Sequence, residues 1–258
     1  DHVFRLFDCT NLGLIARRKN DENLAGVNIV QFKVPSNANR LPIRERVTYR
    51  EMVERLIAEI DSFKPDIVGL SALTDDYPLG LALMKEVRRA FSGIPTIAGG
   101  VHATVDPVGV IAEDCIDMVC VGEGENVVLD LGKRIDGKES FEKIENIWLK
   151  YPDGSIERNP VRPYVQDLDK LPSPDWSIYS PTAFYKPFLG YVYKYGDFEM
   201  SRGCPYKCSY CINVQLQEIY RSVSSGHSYH REKTIPRVIE EIKQAIEVYG
   251  IEFLKFWD

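Results

Sequence analysis

Three short apolar runs, Ile67 to Leu70, Thr96 to Ala98 and Met118 to Val121, alternate with helical patterns, and each ends in a small, polar loop. This alternation constrains the chain more than any other feature. Short apolar runs between helices suit strands buried on both faces of a parallel sheet. Right-handed crossovers between them predict an α/β fold with helices on both faces. Ligands of such sheets sit beyond the carboxyl ends of the strands. The loops at those ends are Ser71 to Tyr77, Gly99 to Thr104 and Gly122 to Asn126.

Residues 1–135 read as one α/β domain. Val3 to Phe7 has the pattern of a strand. Thr48 and Glu51 form a capping box. The helix it opens carries Met52, Val53, Leu56, Ile57 and Ile60 on one face, and Lys64-Pro65-Asp66 ends it. A second helix carries Leu79, Leu83, Met84, Val87 and Phe91, a weakly patterned one spans about 107–113, and a fourth spans Glu125 to Ile135. Residues 136–195 differ. Ile147 to Tyr151 and Ser155 to Arg158 flank an Asp153-Gly154 turn and predict a β-hairpin. Six prolines between Pro160 and Pro187 then forbid long helices and predict an ordered connector. Its aromatic run, Tyr185 to Tyr195, is expected to pack. In residues 196–258 a strand is expected over Phe198 to Ser201. A helix should follow over Thr234 to Tyr249, with Ile235, Val238, Ile239, Ile242 and Ile246 inward, then a strand over Ile251 to Trp257. That is one βαβ unit. Both ends read as cut through strands, so the 258 residues are expected to be a section of a longer protein.

The net charge of −6 argues against a nucleic-acid partner. No apolar run reaches the ~18 residues of a membrane span, and the first residues lack the apolar core of a signal peptide. Of six cysteines, Cys9, Cys115 and Cys120 are scattered and Cys204, Cys208 and Cys211 are clustered. A disulfide framework is unusual at this length, so a reducing, cytoplasmic compartment is expected. The scattered three read as small buried hydrophobes.

The clustered cysteines stand in SRGCPYKCSYCIN, spaced Cys204-x3-Cys208-x2-Cys211. Three thiolates this close can wrap one metal centre. Zinc usually takes four protein ligands in two pairs; His227 and His230 could complete such a site. An ordinary four-iron cluster takes four cysteines, so three would leave one iron open to a substrate or cofactor.

This spacing, after a strand and with an aromatic before the last cysteine, resembles the radical S-adenosylmethionine (SAM) superfamily. The resemblance implies a partial (β/α) barrel and a [4Fe-4S] cluster on Cys204, Cys208 and Cys211. It implies SAM on the open iron, cleaved to a 5′-deoxyadenosyl radical by a low-potential donor such as flavodoxin or ferredoxin. Tyr210 matches the aromatic near the adenine; Ser201, Arg202 and Gly203 match the lead-in. Farther upstream, the segments IVGLSALT, TIAGGVHAT and VCVGEGE resemble the cobalamin-binding Rossmann-like domain. That resemblance maps Ser71, Leu73 and Thr74 to the first cofactor loop, Gly99, Gly100, Val101 and His102 to the second, and Gly122 and Glu123 to the third. The Asp-x-His-x-x-Gly cobalt-ligand motif has no counterpart here, and His102, on a later loop, does not replace it.

Together the resemblances imply methyl transfer to an unactivated carbon or phosphorus of a small molecule. Cobalamin-dependent cyclisation or rearrangement is the alternative, and a cobalamin or Fe–S carrier without catalysis is the reading from another class. The tRNA methylthiotransferases share the cysteine loop, but their cysteine-bearing N-terminal domain does not match the positions of Cys9, Cys115 and Cys120. Neither Gly-x-Gly-x-x-Gly nor a Walker loop appears, which disfavours a nucleotide-phosphate site.

Overall fold

The computed structural model describes residues 2–7, 12–14, 45–224 and 226–257. Its largest sheet has five strands in the order β3-β4-β5-β6-β7. Strands β3 (Val68–Ser71), β4 (Thr96–Gly99) and β5 (Met118–Cys120) are parallel. The hairpin β6 (Ile147–Lys150) and β7 (Ile156–Arg158) adds antiparallel to β5. The expected parallel sheet is therefore mixed, and the hairpin is built into it. The Asp153-Gly154 turn forms as expected, with Gly154 at φ 83°. Strands β1 (Leu12–Leu14) and β2 (Glu45–Val47) pair parallel in a separate ribbon.

Burial explains why β5 reads as uninterruptedly apolar. Alternate side chains of a strand point to opposite faces. Val119 and Val121 enter a cluster with Met84, Ala98, Val110, Ile111 and Ile116. Met118 and Cys120 enter another with Val127, Leu131, Ile144 and Ile147. Helix α1 (Tyr49–Phe63) opens with the Thr48–Glu51 capping box and packs Met52, Leu56 and Ile60 against Leu83 and Val87 of α2 (Tyr77–Ala90). Short helices α3 (Val101–Val105) and α4 (Pro107–Ala112) follow β4, and α5 (Glu125–Gly137) follows β5. At the amino ends of β4 and β5, Asp117 accepts hydrogen bonds from Arg88, from the Thr96 amide (2.9 Å) and from the Thr96 hydroxyl (3.0 Å).

In the C-terminal unit β8 (Tyr185–Phe188), β9 (Tyr191–Phe198) and β12 (Phe253–Phe256) form a sheet ordered β12-β9-β8. β12 runs parallel to β9, so the expected βαβ unit is present around α7 (Ile235–Tyr249). Two short strands, β10 (Ser201–Arg202) and β11 (Arg231–Glu232), pair antiparallel, and α6 (Asn213–Tyr220) lies between them in sequence.

Four expectations are corrected. Residues 2–7 form no strand, and Val3 and Phe4 are exposed. The strand expected over Phe198 to Ser201 ends at Phe198, and the aromatic run before it is itself the β8–β9 hairpin. Its rings pack within the sheet: Tyr195 stacks on Phe253 with centroids 4.4 Å apart. Val101 and His102 lie in α3 rather than in a loop, because Gly100 turns the chain at φ 89° directly into the helix. Helix α7 does not turn Ile235, Ile239 and Ile246 inward. Ile235 is 74% exposed, whereas Glu241 and Ala245 are buried. Glu241 tolerates that position because Lys233 (2.8 Å) and Arg237 (3.2 Å) neutralise it.

Candidate functional site: three loops and the cysteine loop

The three carboxyl-end loops of the large sheet are stitched to one another by backbone geometry. The Ala72 amide donates to the Gly99 carbonyl (3.2 Å), and the His102 amide donates to the Ala72 carbonyl (3.3 Å). The Thr104 hydroxyl donates to the Gly100 carbonyl (2.9 Å) and accepts from the Gly122 amide (3.1 Å). Thr104 therefore ties the second loop to the third.

Ser71, Leu73, Thr74 and Gly100 are exposed at the carboxyl ends of β3 and β4, and Leu73 is 60% exposed. An apolar side chain beside two hydroxyls and bare backbone is chemistry that fits a large, mixed-polarity ligand laid across this edge. His102 is engaged otherwise. Its ring lies against Tyr77 with centroids 4.0 Å apart, and its Nδ1 is 3.3 Å from the Thr74 hydroxyl.

The third loop faces protein. Gly122 has φ 93°, and a Cβ there would lie 2.2 Å from the Tyr220 hydroxyl of α6. The same hydroxyl accepts from the Glu123 amide at 2.7 Å. One oxygen of Glu123 takes the Val165 amide (2.8 Å) and the other takes Arg231 Nη1 (2.8 Å). Arg231, 7% exposed, also stands over the Tyr164 ring at 4.2 Å. Burial raises the pKa of both Tyr220 and Tyr229 beside it, so these phenols stay protonated. Sequence reasoning missed Tyr220, Tyr164 and Asn146. For Arg231, close to His227 and His230 in sequence, it expects a loop ordered against acidic groups, and Glu123 is such a group.

Asn146 sets the entry to this loop. It is buried, donates through Nδ2 to the Val121 carbonyl (2.6 Å) and accepts at Oδ1 from the Arg162 amide (2.9 Å). Asn146→Ala should lower stability by about 2–3 kcal/mol, because both backbone partners lose a buried hydrogen bond. Urea unfolding of the two proteins checks this; an unchanged midpoint would contradict it.

The cysteine loop leaves β10 at Gly203. The Gln217 side chain of α6 donates to the Cys204 carbonyl (2.6 Å), the Cys211 amide donates to the Cys208 carbonyl (3.0 Å), and Asn213 Nδ2 reaches Cys211 Sγ at 3.6 Å. Cys208 is exposed, Cys204 and Cys211 are half-buried, and all three are free thiols. Among the described residues no three His, Cys, Asp or Glu side chains are gathered tightly enough to hold a metal ion. The three thiols lie on one loop between β10 and α6. The donor set, three accessible thiols on one turn, fits a cluster with one open iron. Tyr210 is 91% exposed and His227 is exposed. A cleft of about 200 Å³ opens beside Arg202, lined by Trp176, Glu199, Lys233, Glu241 and Tyr249, and none of the three cysteines lines it.

Cys115 and Cys120 are buried as expected, while Cys9 lies outside the described residues. Burial pushes the Cys120 thiol up to about 11 and raises Cys115 as well. A thiol is nucleophilic only once ionised. At about pH 8, maleimide should therefore label Cys208, with Cys204 and Cys211, and spare Cys115 and Cys120 until the chain unfolds. Peptide mass spectrometry of the metal-free protein reads this, and equal labelling of Cys120 would contradict it.

Known proteins are similar to this chain along most of its length. The family described as B12 binding domain matches residues 25–131. An uncharacterised methyltransferase of Pyrococcus horikoshii is 31% identical over 207 residues, spanning 77% of this chain and 40% of the relative. The anaerobic magnesium-protoporphyrin IX monomethyl ester cyclase of Rubrivivax gelatinosus is 28% identical over 200 residues, 76% of this chain and 34% of the relative. The solved structure of the cobalamin-dependent S-adenosylmethionine radical enzyme OxsB, with aqua-cobalamin and S-adenosylmethionine bound, shares the fold. Its TM-score is 0.59 at 16% identity, over 96% of this chain and 33% of that one. The chain thus spans 40% or less of the length of these proteins. Over residues 25–131 it matches the B12 binding domain family, and along most of its length it is similar to the methyltransferase and the cyclase named above.

Proposed function

We propose that this chain serves a cobalamin-dependent radical SAM enzyme that transfers a methyl group to an unactivated carbon or phosphorus of a small molecule. One observation carries the reading: a B12-binding match and a Cys204-x3-Cys208-x2-Cys211 loop stand in one chain. When bound, the cluster with SAM supplies a radical initiator and cobalamin supplies a methyl donor. Cys204, Cys208 and Cys211 would hold the cluster and leave one iron without a protein ligand. Ser71, Leu73, Thr74, Gly99, Gly100 and Val101 would line the cobalamin edge, with His102 holding Thr74 in place. Gly122 and Glu123 serve that edge from behind, through Thr104 and Tyr220. Tyr210 is free at the surface to cover an adenine. Methyl transfer is favoured by the first relative; the cyclase favours ring formation as the second reading. Among the described residues no helix is long and apolar enough to cross a membrane. An oxygen-labile cluster and a low-potential donor of the flavodoxin or ferredoxin kind suit the cytoplasm.

The 258 residues hold only a partial barrel and are not expected to turn over alone. The test is therefore anaerobic reconstitution of the whole protein with iron, sulfide and cobalamin, followed by reduction in the presence of SAM. Formation of 5′-deoxyadenosine together with a bound-cobalamin spectrum supports the proposal. Bound cobalamin with a cluster but no SAM cleavage would leave a carrier. SAM cleavage without cobalamin uptake would leave a radical enzyme of another kind.

A further inference from the structure

The ladder that opens the cysteine loop is electrostatically unusual. It has two residue pairs, Ser201 opposite Glu232 and Arg202 opposite Arg231. A two-stranded ribbon is marginal alone, and like charges directly opposite weaken it further. Both arginines are nevertheless largely buried, with side chains 24% and 5% exposed. Their counter-charges come from the third loop of the large sheet. Glu125 Oε1 lies 2.6 Å from Arg202, and Glu123 Oε1 lies 2.8 Å from Arg231 and 3.8 Å from Arg202. The other Glu125 oxygen, Oε2, is buried with no hydrogen-bond partner among the described residues. Glu199 adds a contact to Arg202 at 2.6 Å from the ladder's own side. Arg202 is followed directly by Gly203 and Cys204.

We propose that Glu123 and Glu125 are positioning residues for the cysteine loop, acting through Arg231 and Arg202. They join the three carboxyl-end loops to the three thiols. Glu123 is the fixed half, since its second oxygen is anchored by the Val165 amide and its own amide by Tyr220. Glu125 is the adjustable half, because among the described residues Arg202 alone neutralises it and its second oxygen has no hydrogen-bond partner. A shift of the Gly122–Glu125 loop would therefore move Arg202 and the loop it leads into. The consequence for a cluster rests on the function proposed above; the mechanical link does not.

Hydrogen exchange of the metal-free protein tests the link, with Glu125→Gln as the variant that keeps shape and removes charge. Amides of residues 203–212 should exchange roughly tenfold faster, the size expected for one lost charge-assisted hydrogen bond, while α1 and β12 stay unchanged. Glu125→Arg, which sets two cations against each other, should do the same. Unaltered exchange in Glu125→Gln, or equal acceleration across the large sheet, would overturn the proposal. In anaerobically reconstituted protein, Glu125→Gln should also change the electron paramagnetic resonance line shape of the reduced cluster. Local loosening with an unaltered line shape would overturn the assignment to thiol positioning. If wild-type protein takes up no iron while Glu125→Gln still frees the loop, the link stands and the cluster reading fails.

Discussion

Iron in the anaerobically reconstituted protein should fall from about four atoms per chain to below about one when Cys208 is replaced by alanine. Cys204→Ala and Cys211→Ala should behave alike. With three protein ligands the cluster has none to spare, so losing one leaves two irons without protein ligands. Cys115→Ala and Cys120→Ala provide the contrast, since both side chains are buried in the large sheet's core. They should keep full iron while losing some stability through the small cavity each leaves. Iron counting with electron paramagnetic resonance, with and without SAM, separates the two groups. A cluster that survives all three loop substitutions would rule out this donor set. So would a cluster in the wild type that ignores SAM in the whole protein.

Gly203→Ala should destabilise the C-terminal unit by about 3–5 kcal/mol. Gly203 has φ 81°, and a Cβ there would lie 2.2 Å from the Tyr229 carbonyl oxygen and 2.8 Å from its carbonyl carbon. Backbone cannot rotate away as a side chain can, so β10 and β11 must separate. Gly154→Ala is the control. It has nearly the same φ, 83°, with nothing within 4 Å of an added Cβ. It carries only the conformational penalty, about 1 kcal/mol. Urea unfolding of the two metal-free variants isolates the steric part. Equal midpoints would show that the ladder is not closed against Tyr229 in solution.

Much of the large sheet was legible because its strands are short, apolar and bounded by breakers. The capping box at Thr48, the Asp153-Gly154 turn and the cysteine spacing each carry a local rule, and the first two form as the rule demands. What sequence could not show was which distant charges pair. Glu123 and Glu125 read as loop residues, and nothing local to them announces arginines 77 and 108 positions away. Helix α7 was misjudged for a related reason. Periodicity places isoleucines on a face, but the buried face here is decided by Lys233 and Arg237, which stabilise Glu241 inside. The aromatic run was obscured by its prolines, although Pro187 sits on β8, an edge strand, where a missing amide is tolerated.

The span of the contacts around Glu123 has a consequence for biosynthesis. The large sheet is secured by partners close in sequence, such as Arg88 with Asp117 and Thr96 with Asp117, separated by 29 and 21 residues. The clamp on the cysteine loop joins partners separated by 77 to 108 residues. Contacts of long loop length form late. As the chain leaves the ribosome, the sheet and its loops can be complete while residues 203–212 are still untethered. On the function proposed above, the thiols would then be at their most accessible to a source of iron and sulfur. Loading would precede closure, with the arginine ladder shutting on a loop already filled.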